Sequence, residues 1–264
     1  MGELSTKKTV LVTGGTRGIG KAIAYALGQE GAVIAVNYLR DRRSADAMVT
    51  EAASAGIHCV AFPADVSTAG GAAYLVAAVE DQIGPIDVLV NNVGEFALGE
   101  LGTTSPGAWD KTIASNLSSI FYVSRHALPS MRARRNGCIV NVGLAPAYAI
   151  RAAPNIAPYA IAKAGVGILT KSLASEEARC GIRVNCVAPG LVDSGHLSAQ
   201  ELDWMLKRLP LGRVGRPEEV AAAVAFLASE RASYISGATL AVSGGWDWED
   251  RATRYDHSEL FQTA

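Results

Sequence analysis

Short apolar runs alternate with helix-period stretches along almost the whole chain. Thr9-Val10-Leu11-Val12 reads as a first buried strand, and residues 21–29 as the helix after it. The same reading gives strands at 32–36, 57–62, 86–90, 138–142, 182–187 and 239–242. Between them the pattern predicts helices over 43–55, 72–82, 109–133, 158–178 and 217–229. Strand and helix alternating through short connections require a parallel sheet with helices on both faces. The expected fold class is therefore α/β, a doubly wound parallel sheet, with residues 1–264 forming one domain. Two stretches break the rhythm. Residues 191–211 begin polar and glycine-interrupted, then turn amphipathic through Leu202, Met205 and Leu209, and read as a substrate lid. The tail 246–264 carries Trp246 and Trp248 and then becomes charged, as a segment that packs on a neighbouring subunit or frays.

Composition narrows the function classes. Of 264 residues, 49% are hydrophobic and 19% charged, which fits a chain with a sizeable core rather than a disordered one. Lysine and arginine number 24 against 25 acidic residues, so no basic excess points to nucleic acid. Cys59, Cys138, Cys180 and Cys186 show neither C-x-x-C nor metal spacing, and read as free thiols in a reducing compartment. No uninterrupted apolar stretch approaches the ~18 residues of a membrane span. A soluble, cytoplasmic protein is expected.

The glycines supply the first chemistry. Thr13-Gly14-Gly15-Thr16-Arg17-Gly18-Ile19-Gly20 follows the first strand directly and opens the first helix. That arrangement brings backbone N–H groups and a helix N-terminus to a pyrophosphate. The second strand ends at Asn37-Tyr38-Leu39-Arg40, where NAD-binding folds place an acid for the ribose 2′-hydroxyl. No acid stands at Asn37 or Tyr38. Arg40 and Arg17 instead suit a 2′-phosphate, so NADP(H) is the expected cofactor. Asp65-Val66 ends the third strand, and Asp65 either accepts from an adenine amino group or caps the next helix. Asn91-Asn92-Val93-Gly94 ends the fourth, with amides and small residues that suit a close cofactor approach. Asn116, a poor helix-interior residue, sits among serines in the long helix and predicts a local kink holding a water or a lysine.

The second chemistry is Tyr159-Ala160-Ile161-Ala162-Lys163. Residues i and i+4 share a helix face, so the phenol and the ammonium point the same way. A neighbouring cation favours phenolate and is expected to lower the tyrosine's pKa into the range of acid–base work on an alcohol or carbonyl.

Taken together in this order and spacing, these motifs make the chain resemble the short-chain dehydrogenase/reductase family, and within it the 3-oxoacyl-carrier-protein-reductase-like members, over about residues 8–245. The resemblance implies a Rossmann fold, a nicotinamide cofactor and hydride transfer to a carbonyl carbon. It implies Tyr159 as general acid, Lys163 as the group that tunes it and binds the nicotinamide ribose, and Asn116 as support for a relay water. Pro189, Gly190 and Val192 take positions that contact the nicotinamide, and Ser194 stands for the family's usual threonine. It implies a homotetramer through helices 109–133 and 158–178. Arg135 lies where the family's carrier-protein reductases make a basic contact, but the second such position holds Cys180, with Arg179 beside it, so only one of the two contacts expected for a substrate carried on acyl carrier protein is kept. Enoyl reductases of the same family usually separate tyrosine and lysine by six residues; here three intervene. The family's serine at the end of the fifth strand is replaced by Leu144, which cannot donate to a carbonyl oxygen. Losing one such donor costs about 100-fold or more in rate. Tyr148 and Asn155, on the lengthened loop that follows, are the candidate replacements. An uncompensated loss would leave a weakly active or non-catalytic NADP-binding sensor or scaffold. The pocket walls are expected from residues 95–101, 144–156 and 194–208, including Phe96, Leu98, Ile150 and Trp204.

Overall fold

All seven strands run parallel in one sheet of order β3-β2-β1-β4-β5-β6-β7. The computed structural model describes residues 7–145, 152–193, 195 and 197–246. The strands are β1 (Thr9–Val12), β2 (Val33–Tyr38), β3 (Cys59–Pro63), β4 (Val88–Asn91), β5 (Gly137–Val142), β6 (Ile182–Pro189) and β7 (Thr239–Val242). Each lies within two residues of its expected span, most running on a little further at the carboxyl end. The order reverses between β1 and β4, which open a crevice at their carboxyl ends.

Side-chain alternation along β1 divides the core. Val10 and Val12 pack on one face, against α1 (Gly18–Gln29) and α8 (Pro217–Ala228), through Ile23, Leu27, Val220 and Val224. Leu11 packs on the other, against α3 (Ala69–Gln82) and α5 (Ser119–Arg134), through Leu75, Val79, Val123 and Met131. Every β1 residue is therefore buried, which is why the run is continuously apolar rather than alternating. The other helices are α2 (Arg42–Ser54), α4 (Pro106–Ile113), α6 (Ala157–Glu177) and α7 (Ala199–Leu206).

The helix expected over 109–133 is three pieces. α4 passes through a π-helical turn at Ala114–Ser118 into α5. The wider turn accommodates Asn116, fully buried, whose amide donates to Thr112 O at 3.0 Å and to Glu95 O at 2.9 Å. Helix starts also move. Asp41 caps α2 by accepting from Ser44 N, and Thr68 caps α3 by accepting from Gly71 N. No described helix is long and apolar enough to cross a membrane.

Candidate active site

The glycine loop forms a cradle at the carboxyl end of β1. Gly14 and Gly18 have φ of 62° and 53°, where a side chain is strained. A methyl group added at Gly18 would meet nothing within 4 Å, whereas one at Gly20 would collide with Gly14 O. Gly20 thus lets α1 sit close on its strand, while Gly18 leaves open space before the first turn. Arg17, the residue preceding α1, makes no side-chain cap, so no side chain covers the helix's first N–H groups. An uncapped helix N-terminus with open space ahead fits a pyrophosphate. Thr16 is half-buried here, Arg17 is exposed, and Ile19 packs into the core.

Thr13 and Asn92 hold the cradle across the switch point. Thr13 Oγ1 accepts from Asn92 N at 2.9 Å and Val93 N at 3.2 Å. Asn92 Nδ2 donates to Thr13 O and Gly14 O at 3.0 and 3.1 Å. The Asn92 side-chain N–H groups thus shape the loop.

Several residues expected near a cofactor at the ends of β2 and β3 also hold the protein together. Asn37 is buried, and its amide donates to Tyr38 O, Phe62 O and Ala64 O. It stitches β2 to β3, leaving Tyr38 half-buried and Arg40 exposed at the rim. Asp65 does not cap α3, the alternative left open by the sequence. Its carboxylate accepts from Ser67 N and Oγ at 3.0 and 2.6 Å, and Thr68 does the capping. Val66 is core. Among the described residues no carboxylate pairs with Arg17 or Arg40, while Arg42 pairs with Asp46.

Tyr159 and Lys163 lie on one face of α6, with the lysine Nζ 5.6 Å from the phenol ring centroid. Lys163 is buried and donates to Val142 O at 2.9 Å, which ties α6 to the end of β5. Asn116 Oδ1 is buried and without a hydrogen-bond partner. A methyl built on Gly94 would collide with that oxygen and lie 3.1 Å from Lys163 Nζ. Gly94 is therefore what lets an amide oxygen, an ammonium and the strand end share one spot. Phe96 stacks edge-to-face on Tyr159, with centroids 5.2 Å apart.

The tyrosine's acidity differs from the expected one. Burial pushes Tyr159 up to about 12, and burial pushes Lys163 down to about 8. The ring keeps some exposure, so the cause is the protein packed around it rather than full enclosure. In this chain desolvation sets the direction, opposite to the one that the one-turn spacing of the lysine suggested, and the ammonium donates to Val142 O.

Leu144 follows β5 and is half-buried, with Gly143 N donating to Val187 O and Ala145 N to Pro189 O. Pro189 is buried, Gly190 approaches Ser243 too closely for a side chain, and Val192 bridges Gly215. Ser194, Tyr148, Ile150, Trp248 and the rest of the tail beyond Trp246 lie outside the described residues. Asn155 is described, at φ 65°, with its carbonyl accepting from Gly99 N. Arg135 donates to Arg179 O beyond the far end of β5. A surface cleft of about 700 Å³ runs between α1 and α8 from Gly18 of the cradle, past Asp193 and Gly195, and includes none of Tyr159, Lys163 and Asn116. No group of acids, histidines and cysteines among the described residues is arranged to hold a metal.

Sequence reading missed a buried polar chain under the site. Asn91 Nδ2 donates to Ser124 Oγ and Asn141 Oδ1, Asn141 Nδ2 to Thr170 Oγ1, and Thr170 Oγ1 to Val166 O. The one available signal was a polar Asn141 within an otherwise apolar strand.

The glycine cradle and the Tyr159–Lys163 pair open on the same edge of one doubly wound sheet, where ligands of that fold class bind. Comparison with known proteins makes it specific. A family model described as enoyl-(acyl carrier protein) reductase matches residues 14–247. A 3-oxoacyl-[acyl-carrier-protein] reductase FabG of Staphylococcus aureus is 41% identical over 241 residues, 90% of this chain and 97% of the relative. A 3beta-hydroxysteroid dehydrogenase 1 of Eggerthella lenta is 40% identical over 244 residues, 90% and 93% of the two chains. A solved blue fluorescent protein from a metagenomic library, in complex with NADPH, superimposes with a TM-score of 0.83 at 33% identity, covering 90% of this chain and 97% of that one. The chain belongs to the short-chain dehydrogenase/reductase family.

Proposed function

We propose that this chain is an NADPH-dependent reductase of a ketone carbonyl, with Tyr159 as general acid. The observation that carries the reading is the convergence of Lys163 Nζ and the unpaired Asn116 Oδ1 on Gly94, beside Tyr159. The cradle at Gly14 to Gly20 would hold the pyrophosphate, Arg17 and Arg40 the 2′-phosphate, and Pro189, Gly190 and Val192 the nicotinamide side. The nicotinamide, when bound, supplies the hydride. Tyr159, protonated across the neutral range, gives its proton to the carbonyl oxygen as negative charge develops there. Lys163 is mostly charged at pH 7 and stabilises the phenolate left behind. Asn116 Oδ1 is an acceptor with spare capacity, suited to hold the water that returns a proton.

The relatives' names set the substrates to try first: a 3-oxoacyl thioester, free or on acyl carrier protein, and a ring ketone. NADPH binding in a solved neighbour supports the cofactor choice. A cytoplasmic homotetramer completes the reading. NADPH oxidation against a panel of ketones tests it. Tyr159→Phe is expected to lower kcat at least 1,000-fold, on the order expected for loss of a general acid together with its hydrogen bond, with NADPH affinity nearly unchanged. Arg40→Asp is expected to narrow a preference for NADPH over NADH. A Tyr159→Phe protein retaining most of its rate would show that another acid does the work.

A further inference from the structure

Phe96 is an exposed aromatic ring fixed in place. The ring is 57% exposed, yet it stands edge-on to Tyr159. Its segment is pinned at both ends. Glu95 O accepts from Asn116 Nδ2 at 2.9 Å, and Gly99 N donates to Asn155 O at 2.8 Å. The Glu95 carboxylate also pairs with Lys111 at 2.9 Å. An ordinary loop phenylalanine would turn away from water; this one is presented to it beside the proposed acid.

Leu144 is held as firmly. The residues on either side of it are hydrogen-bonded to Val187 O and Pro189 O. Gly143 lies so close to Cys186 Sγ that an added methyl would come within 2.7 Å of the sulfur. The side chains of Phe96 and Leu144 carry no hydrogen-bond donor.

We infer, resting on the reductase reading above, that Phe96 and Leu144 select a ketone set in a rigid apolar ring system over a 3-oxoacyl thioester. A 3-oxoacyl thioester carries a second carbonyl two carbons from the first. Placed against these side chains, that carbonyl loses water and gains no donor from either of them. Its chain also has several rotors to freeze. A fused-ring ketone has one carbonyl for Tyr159, a flat apolar body for Phe96, and few rotors. With no donor on either of these two side chains, the ring body does the orienting that a hydrogen bond otherwise does.

The test uses the full chain with NADPH and two probes, 1-decalone and the N-acetylcysteamine thioester of acetoacetate. We expect kcat/KM for decalone to exceed that for the thioester at least tenfold. Phe96→Ala should lower the decalone value about tenfold through KM and the thioester value far less. Leu144→Ser should raise the thioester value about tenfold and narrow the ratio. NADPH fluorescence titration confirms that each variant is folded. Equal values for the two probes, or preference for the thioester, overturns the inference and leaves the reductase reading standing. So does an equal loss on both probes in Phe96→Ala, which would mean that Phe96 acts only through Tyr159. Turnover of neither probe, nor of any ketone in the panel, overturns the reductase reading and this inference with it.

Discussion

Lys163 sits in a place that disfavours its charge, and the consequence is a pH limb. Burial brings it to about 8, against an ordinary lysine near 10.5. Below pH 8 it is mostly an ammonium able to support the Tyr159 phenolate; above, it becomes a neutral amine. Reduction should therefore lose kcat/KM above pH 8, by roughly tenfold per unit once past the pKa. A profile measured from pH 6 to 9.5 checks this, and a flat line through pH 9 would assign the support of the tyrosine elsewhere. The stability effect has the opposite sign. Between about 8 and 10.5 the unfolded chain holds more protons at this position, so folding gains stability as pH rises and loses it as pH falls through 8. Tyr159 contributes below pH 10 and loses that contribution as pH rises through about 12.

At the scale of elements, α6 carries both catalytic candidates and is positioned by polar groups inside the sheet. Lys163 bonds the end of β5, and about two turns further on Thr170 accepts from Asn141. Asn141 also accepts from Asn91 on the adjacent strand. Asn141→Ala would leave Asn91 and Thr170 each short of a partner in a fully buried place. It should destabilise the fold by about 2–4 kcal/mol, since buried polar groups left unpaired cost roughly 1–3 kcal/mol each. Urea denaturation measures it; a loss below 0.5 kcal/mol would mean that the chain of amides is not what seats α6. The Asn116 kink was legible in sequence because asparagine is a poor interior helix residue. That it takes the form of a π-turn was not, since the groups that meet Asn116, Glu95 O and Gly94, lie on another segment.

At the scale of the whole molecule, the outer faces of the helices are the open question. Ile161 and Ile168 fall on one stripe of α6, with Ile168 69% exposed, and Phe121 on α5 is also exposed. Apolar side chains repeated at i and i+7 on a surface helix face a partner more often than water. Sedimentation velocity is expected to show a tetramer, and Ile168→Glu to shift it to smaller species. A monomer in the unmodified chain would put these residues to some other use. Two charged pairs near the opposite edge of the sheet, Arg132 with buried Glu177 and Arg134 with Asp87, bind helix ends to the fold.

The sequence by itself determined the alternation of elements, the parallel sheet, the glycine cradle and the shared face of Tyr159 and Lys163. All of these follow from order along the chain: short unbroken apolar runs, a helical period near four, glycine where φ is positive, and short connections. Only the tertiary structure decided that Asn37 and Asn92 turn inward, that Thr68 rather than Asp65 caps α3, and that burial raises the phenol instead of a cation lowering it. Those outcomes depend on which atoms from distant segments arrive at the same place. Hydrogen-bond partners and desolvation are properties of that meeting, and no local pattern encodes them.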